Sequence, residues 1–331
     1  MFKGIDIPAL FDRMSKMRVM IIGDVMIDSY MWGNVERMSP EAPVPVVEIE
    51  KKETRLGGAA NVALNIMSMG ATPIICSVLG NDAKGKLFSQ RLKERQFSSE
   101  GMVMSDDRIT TDKTRIISDG QHVLRVDEEM IDDLNERDER ELLNKAFDLI
   151  ENGNVDVVIF EDYNKGVLTA NVIKSIIEKA NSHSVPTTVD PKKKNFFAYQ
   201  NCTLFKPNLI ELQIGTGTDF SGEDSTQLLS AVNEVESKLK NEYSLITLSE
   251  HGIFVKCQGA YLNIAAHDRN ILDVSGAGDT VISVASLALA AECSPKQIAA
   301  ISNLAGGLVC EKVGVVPISK KLLLEETSKL V

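Results

Sequence analysis

Short runs of β-branched and aliphatic residues alternate along the chain with longer stretches whose apolar positions recur at helical spacing. Arg18 to Ile22, Pro73 to Leu79, Val155 to Phe160, Thr187 to Asp190, Thr203 to Lys206 and Ser244 to Leu248 read as strands, with Asn61 to Met69 and Asn171 to Asn181 as helices between them. Alternation of this kind closes as right-handed βαβ crossovers, so the pattern predicts an α/β fold with a mainly parallel sheet flanked by helices. Ligands of such sheets lie beyond the carboxyl ends of the strands, and several polar motifs here follow a strand directly.

Two stretches break the rhythm. Between Tyr30 and Arg55 the chain carries Pro40, Pro43 and Pro45 around an extended Val44-Pro-Val-Val-Glu-Ile segment, and from Lys113 to Val126 two β-prone arms flank Asp119-Gly120, a two-residue hairpin signal. Segments of about 30–56 and 103–128 are therefore expected to form a small β-lid inserted into the body, a plain surface hairpin being the alternative. No repeat, low-complexity tract or linker divides the rest, and residues 1–331 read as a single domain.

The 36 Lys and Arg stand against 47 Asp and Glu, a formal net charge of −11, which argues against broad nucleic-acid affinity and makes local basic clusters conspicuous. Five widely spaced cysteines without a Cys-x-x-Cys pair suggest neither a disulfide framework nor a zinc site. No apolar run approaches the roughly 20 residues that span a bilayer, and Met1 to Lys16 lacks the apolar core of a signal peptide. The expectation is a cytoplasmic protein with neither membrane nor nucleic-acid partners.

The sharpest chemical signal is Asp273-Val-Ser-Gly276-Ala277-Gly278-Asp279-Thr, a small-residue turn and a carboxylate set ahead of the apolar run Val281 to Ala291. N–H groups at a helix start lack intrahelical partners and feel the positive end of the dipole. Gly276, Ala277 and Gly278 can thus cradle a transferring phosphoryl group while Asp279, kept ionised by the dipole, takes the proton of an attacking hydroxyl. An ordinary N-capped helix behind a glycine turn reads the same way. Gly80-Asn-Asp-Ala-Lys-Gly85-Lys86 is not a P-loop, because Leu87 stands where a magnesium-binding Ser or Thr is required.

Other candidates surround this motif. Asp24 and Asp28 follow the first strand, where carboxylates accept hydrogen bonds from sugar hydroxyls or serve as turn acids. Gly57 and Gly58 allow close backbone approach to a ligand, and Asn61 projects an amide one turn into the helix they open, although tight helix packing explains the small residues too. Asn208 and Glu211, three apart after Pro207, share a helix face that can hold water around Mg2+ or steer ATP phosphates. Thr247, Ser249 and Gly252 make a strand-to-turn segment able to meet phosphate oxygens, or a simple hairpin turn. Asp190-Pro-Lys192-Lys-Lys194, together with Arg115 and Arg125 in the lid and with Asp162 and Lys165 of Glu161-Asp162-Tyr-Asn-Lys165-Gly166, points to an anionic substrate. The four histidines lack metal-ligand spacing.

With Gly57-Gly58, Asn208-x-x-Glu211 and Gly276-Ala-Gly-Asp279 in this order, the chain resembles the ribokinase-like (PfkB) family of carbohydrate kinases over nearly its full length. Within that family, Gly23-Asp24-Val-Met-Ile-Asp28, Ser39-Pro-Glu-Ala-Pro-Val-Pro-Val-Val47, Gly57-Gly-Ala-Ala-Asn61-Val-Ala63 and Asp273 to Thr280 look like the D-glycero-D-manno-heptose 7-phosphate kinases. The resemblance implies ATP-dependent phosphorylation of the sugar's anomeric hydroxyl, feeding ADP-heptose for the lipopolysaccharide inner core. It implies ATP and Mg2+ as cofactors, with a monovalent cation such as K+ as a further candidate.

By matching position the resemblance makes Asp279 the base, Gly276 to Gly278 the anion hole, and Asn208 with Glu211 the magnesium and phosphate organisers. It puts Asp24, Gly57, Gly58 and Asn61 on sugar hydroxyls, and Ser249, Gly252 and Asn303 along the nucleotide site, to which Thr247 and Asp273 are assigned as well. Exposed lid edges predict a homodimer. Many such heptose kinases continue into a nucleotidyltransferase domain with a His-x-Gly-His motif; this chain lacks the motif, so adenylylation is expected of another protein. Glu161 replaces the Ser of the family pattern before Asp162-Tyr, Ser249 stands where the wider family often has Gly, and Gly314-Val-Val replaces Gly-Thr. Alternative readings are a kinase of another sugar or sugar phosphate, such as fructose 6-phosphate, and a non-catalytic sugar or nucleotide sensor.

Overall fold

In the computed structural model, which describes residues 2–330, the Arg18–Gly23 strand is buried nearly throughout and its side chains alternate between two apolar layers. Val19 and Ile21 enter one layer, Met20 and Ile22 the other, and Val157 and Ile159 alternate with Val158 and Phe160 in the same way. Coverage on both faces is what the unbroken apolar runs of the sequence require. Helices Ile7–Met14, Ala59–Ser68, Ala277–Ala290, Pro295–Cys310 and Lys320–Ser328 cover the first face, and Glu136–Glu151, Ala170–Ser182 and Ser225–Leu239 the second.

The described residues form a nine-stranded main sheet in the order Ala260–Ile264, Ile253–Cys257, Tyr243–Thr247, Leu204–Phe205, Thr187–Asp190, Val157–Glu161, Arg18–Gly23, Thr72–Gly80, Met102–Ser105. From Tyr243–Thr247 onward every neighbouring pair is parallel, as expected. The hairpin of Ile253–Cys257 and Ala260–Ile264 adds an antiparallel edge that the parallel rhythm did not announce. No helix among the described residues is long and apolar enough to cross a membrane.

A second, four-stranded sheet, ordered Pro45–Gly58, Val25–Met38, Asp112–Ser118, Gln121–Glu128, stands at the carboxyl edge of the first. Asp24 is the single residue between the Arg18–Gly23 and Val25–Met38 strands, and Gly58 leads straight into the Ala59–Ser68 helix. The lid therefore leaves and rejoins the body beside the central strand. Asp119 (φ 51°) and Gly120 (φ 74°) both take the left-handed conformation, the turn geometry that Asp-Gly favours in a two-residue hairpin.

Two boundaries differ from expectation. The first arm begins at Val25 rather than near residue 30, because Met26 and Ile27 are still buried before the strand clears the body. Met102–Ser105, assigned to the lid, pairs in parallel with Ser77–Gly80 in the main sheet, where Val103 is buried; the second arm starts at Asp112.

Candidate active site

Glu161 and Asp190 end neighbouring parallel strands and are register partners, so topology alone sets their carboxylates side by side at the ligand-binding edge. Asp279 joins them from the first turn of the Ala277–Ala290 helix, and one carboxylate oxygen of each of the three lies within 4.8 Å of the others. All three residues are buried. Lys206, just past the Leu204–Phe205 strand and itself buried, places Nζ 2.8 Å from Asp190 Oδ2. A buried ammonium without such a partner would be strongly destabilising.

The helix head is built for close approach. Gly276 caps it at φ 78°, and a Cβ there would come within 2.9 Å of Val315 Cγ1. Of the predicted cradle, Ala277 spends its N–H on Val274 O at 3.2 Å, whereas among the described residues the Gly276 and Gly278 N–H groups have no such acceptor. Tyr163 Oη donates to Asp279 Oδ1 at 3.2 Å, and the Asn61 side chain also hydrogen-bonds this carboxylate.

Burial, reinforced by the charge of Asp190, pushes Asp279 up to about 6, against the opposing pull of Tyr163, Lys206 and Asn61. Desolvation thus outweighs the helix dipole, which was expected to keep this group ionised. At neutral pH the group is still mainly a carboxylate, and a stronger base than an exposed Asp.

The other predicted residues divide into those that face the cleft and those whose polar atoms are already taken. Asp28 Oδ1 accepts from Arg115 Nη1 at 2.6 Å, and Arg115 and Arg55 lie over the Tyr30 ring, at 5.2 and 4.8 Å from its centroid. A Cβ on Gly57 would fall 2.2 Å from Asp28 Oδ2, and one on Gly58, which sits at φ 62°, would fall 2.3 Å from Asp24 O. The Gly-Gly pair is therefore a steric requirement of the lid root. Asp24, expected on sugar hydroxyls, accepts from the backbone N–H groups of Tyr163 (2.9 Å), Lys165 (3.0 Å) and Val167 (3.0 Å).

Asp162 likewise accepts from Tyr199 Oη (2.8 Å) and Asn164 N (2.7 Å), and burial pushes it up to about 6. Lys165 turns to Glu129 and Arg125 to Asp127, so neither presents a free charge.

Asn208 and Glu211 form a reciprocal capping box on the Leu209–Thr216 helix, with Glu211 Oε1 also taking Lys192. Thr247 N–H is spent on Pro207 O at 3.2 Å. The Ser249–His251 turn carries Ser249 at φ 52° and Gly252 at φ 88°, where a Cβ would strike Ile264 O at 2.0 Å. Asp273 accepts from Ser275 N (2.9 Å) and Gly314 N (2.8 Å), bracing the turn before the helix, and Asn303 donates to Ala265 O at 2.8 Å. These contacts make Asp24, Asp162 and Asp273 organisers of the loops at the site.

Sequence reasoning missed Tyr163 and Lys206 as site residues and treated Glu161 only as a departure from a pattern. Glu161 and Tyr163 flank Asp162 and Lys206 comes two residues before Asn208, all inside motifs already marked, so position next to a strand end was the available signal.

Phosphoryl transfer to a hydroxyl asks for an anion-binding helix start and a base beside it, and the fold supplies both at one strand edge beneath a lid; this is the equipment of a sugar kinase. Comparison with known proteins agrees. Residues 16–321 match the description "pfkB family carbohydrate kinase", and the chain belongs to that family.

It is 34% identical over 322 residues to the bifunctional protein HldE of Citrifermentans bemidjiense, covering 97% of this chain and 65% of that one. To HldE of Helicobacter pylori strain G27 it is 39% identical over 297 residues, covering 90% and 63%. The chain thus spans just under two thirds of these curated relatives.

Among solved structures, phosphofructokinase-2 from Escherichia coli in complex with potassium superposes with a TM-score of 0.76 at 17% identity, over 94% of this chain and 99% of that one. Arabidopsis thaliana ribokinase with ribose and ATP gives 0.72 at 18%, with the same coverage.

Proposed function

We propose that this kinase transfers the γ-phosphoryl group of ATP to the anomeric hydroxyl of D-glycero-β-D-manno-heptose 7-phosphate, giving the 1,7-bisphosphate on the route to ADP-heptose and the lipopolysaccharide core. The observation that carries the reaction is Asp279, a buried carboxylate at a helix head whose proton affinity is raised to about 6. The sugar is supported by the Ser39 to Val47 segment and by relatives named HldE.

In this reading the sugar oxygen attacks the γ-phosphorus, the bond from that phosphorus to the ADP oxygen breaks, and the hydroxyl proton passes to Asp279. The Gly276 and Gly278 N–H groups stabilise the charge spread over the transferring group. Asn61 and Tyr163 hold Asp279 in orientation. Arg115, held by Asp28 at the lid root, faces the anionic substrate. Mg2+ would be held through water by Asn208 and Glu211, whose carboxylate and amide oxygens each keep a second acceptor position beyond their protein partner, and would there neutralise phosphate charge. A sugar phosphate and ATP as substrates suit a cytoplasmic location.

The test is sugar-dependent ADP release with Mg2+ and ATP on D-glycero-D-manno-heptose 7-phosphate, fructose 6-phosphate and ribose. Turnover specific to the heptose supports the proposal. Turnover only on another sugar would replace the substrate, and none on any sugar would favour a sensor.

A further inference from the structure

Between the Ala260–Ile264 strand and the Ala277–Ala290 helix, residues 265–276 form no helix or strand, yet they lead into the helix head that binds phosphate. The Pro295–Cys310 helix holds the stretch 265–273 at both ends. Asn303 Nδ2 donates to Ala265 O at 2.8 Å, and the Leu272 and Asp273 N–H groups reach Cys310 O, a helix-end carbonyl, at 2.8 and 3.2 Å. Between these anchors Ala266, Asp268, Asn270 and Ile271 are exposed, whereas the Arg269 side chain turns inward and is 12% exposed. Its Nη1 meets Glu311 Oε1 at 3.2 Å, and its Nη2 meets Glu326 Oε2, on the Lys320–Ser328 helix, at 3.4 Å. The Arg269 stem lies on bare helix backbone, since a Cβ on Gly307 would stand 3.0 Å from Arg269 Cδ and 3.3 Å from Nε. Glu311 caps the Pro295–Cys310 helix, and the turn after it brings Gly314 N onto Asp273 Oδ2 and Val315 beside Gly276. One guanidinium thus ties the last helix to both chain segments that flank the phosphate-binding turn.

We propose that Arg269 is a positioning residue for the nucleotide: clamped between Glu311 and Glu326, it orders residues 266–271 and thereby sets the affinity for ATP and ADP. Fixing the backbone of a residue outside helix and sheet costs about 1–2 kcal/mol. Any part of that cost met by contacts within the protein no longer opposes ligand binding. A guanidinium this far out of solvent is screened less than a surface ion pair, and its two carboxylates come from different elements, so the clamp holds the segment against both. The inference rests on reading this bank as the nucleotide side of a kinase cleft and does not depend on which sugar is phosphorylated.

Calorimetric titration of the full chain with Mg-ADP tests it. Arg269→Ala should raise the Kd by about tenfold and the KM for ATP in step, with kcat at saturating ATP and the KM for the sugar within about twofold of the wild type. The Leu272 and Asp273 amides should exchange hydrogen faster in the nucleotide-free variant and return to the wild-type rate at saturating Mg-ADP. Glu326→Ala gives the deciding sign. It removes a negative charge, which by long-range attraction alone would tighten an anion, whereas loss of the clamp weakens it. Weaker binding is expected, and the double variant should bind little worse than Arg269→Ala alone. Arg269→Lys, which keeps the charge without the fork, should recover part of the loss. Circular dichroism checks each fold, and Glu326→Ala serves where Arg269→Ala fails to fold. No Mg-ADP binding by the wild type, an unchanged Kd in folded variants, tighter binding by Glu326→Ala, or an equal rise in both KM values overturns the clamp. The calorimetry needs no sugar, so it stands whether or not the heptose is the substrate and the two proposals fail separately.

Discussion

Tyr163 is held at both ends of its side of the cleft: its backbone N–H donates to Asp24 Oδ2 at 2.9 Å and its hydroxyl to Asp279 Oδ1 at 3.2 Å. The residue following the central strand thereby positions a helix-head carboxylate far along the chain. Asp24 fixes the loop of residues 163–167, the loop fixes the phenol, and the phenol fixes the orientation of Asp279.

Replacing Asp279 with Asn keeps the shape and removes the proton acceptor. Steady-state assays should find kcat lower by about 10²–10⁴-fold with KM for ATP little changed. Near-normal kcat would remove Asp279 from the role of base. The same variant should be more stable than the wild type at pH 8. Asp279 titrates near 6 when folded against a reference of 3.8, so its contribution favours the fold below 3.8 and is lost as pH rises through about 6. The Asn variant avoids that loss, worth on the order of 3 kcal/mol, and its advantage in thermal melts should shrink as pH falls from 8 towards 4.

Tyr163→Phe removes a donor that favours the ionised form of Asp279. The Asp279 carboxyl should then titrate above its present value of about 6, and the acid limb of the kcat/KM profile should move to higher pH. A profile that keeps its limb while the rate falls would assign Tyr163 to packing alone.

What the sequence made legible follows the range of the interactions. Strand alternation and the Asp119-Gly120 turn are local, written in side-chain period and in backbone preference, and both were readable. The meeting of Glu161 with Asp190 depends on the register between two strands, and that of both with Asp279 on a helix packed across the sheet; no linear motif carries this. Asp24, Asp162 and Asp273 share a loop-bracing role that no motif announces. A short carboxylate after a strand meets the N–H groups of the adjoining loop before it meets a ligand, and all three accept from such groups.

Gly57→Ala tests the lid root. The added Cβ would stand 2.2 Å from Asp28 Oδ2, so the carboxylate must swing away and release Arg115. The expected result is a rise in KM for the sugar phosphate larger than the rise for ATP, with a loss of about 1–3 kcal/mol in stability. Equal effects on both substrates would mean that the clash spreads into the Ala59–Ser68 helix instead of stopping at the Asp28–Arg115 pair.

The lid's outer strand carries a second consequence. Gln121–Glu128 lies at the edge of its sheet with unpaired backbone groups, and Val123, Leu124 and Val126 are exposed on it at 39%, 55% and 44%. An apolar edge strand of this kind is a pairing surface, and a second copy offers the same edge for a self-complementary contact. The wild type should therefore be a homodimer by light scattering at micromolar concentration. Leu124→Glu, which sets a charge in the middle of that contact and leaves the Asp279 cluster alone, should shift it to monomer. A monomeric wild type would reject the lid as a dimer surface, and a dimer unmoved by Leu124→Glu would locate the contact elsewhere.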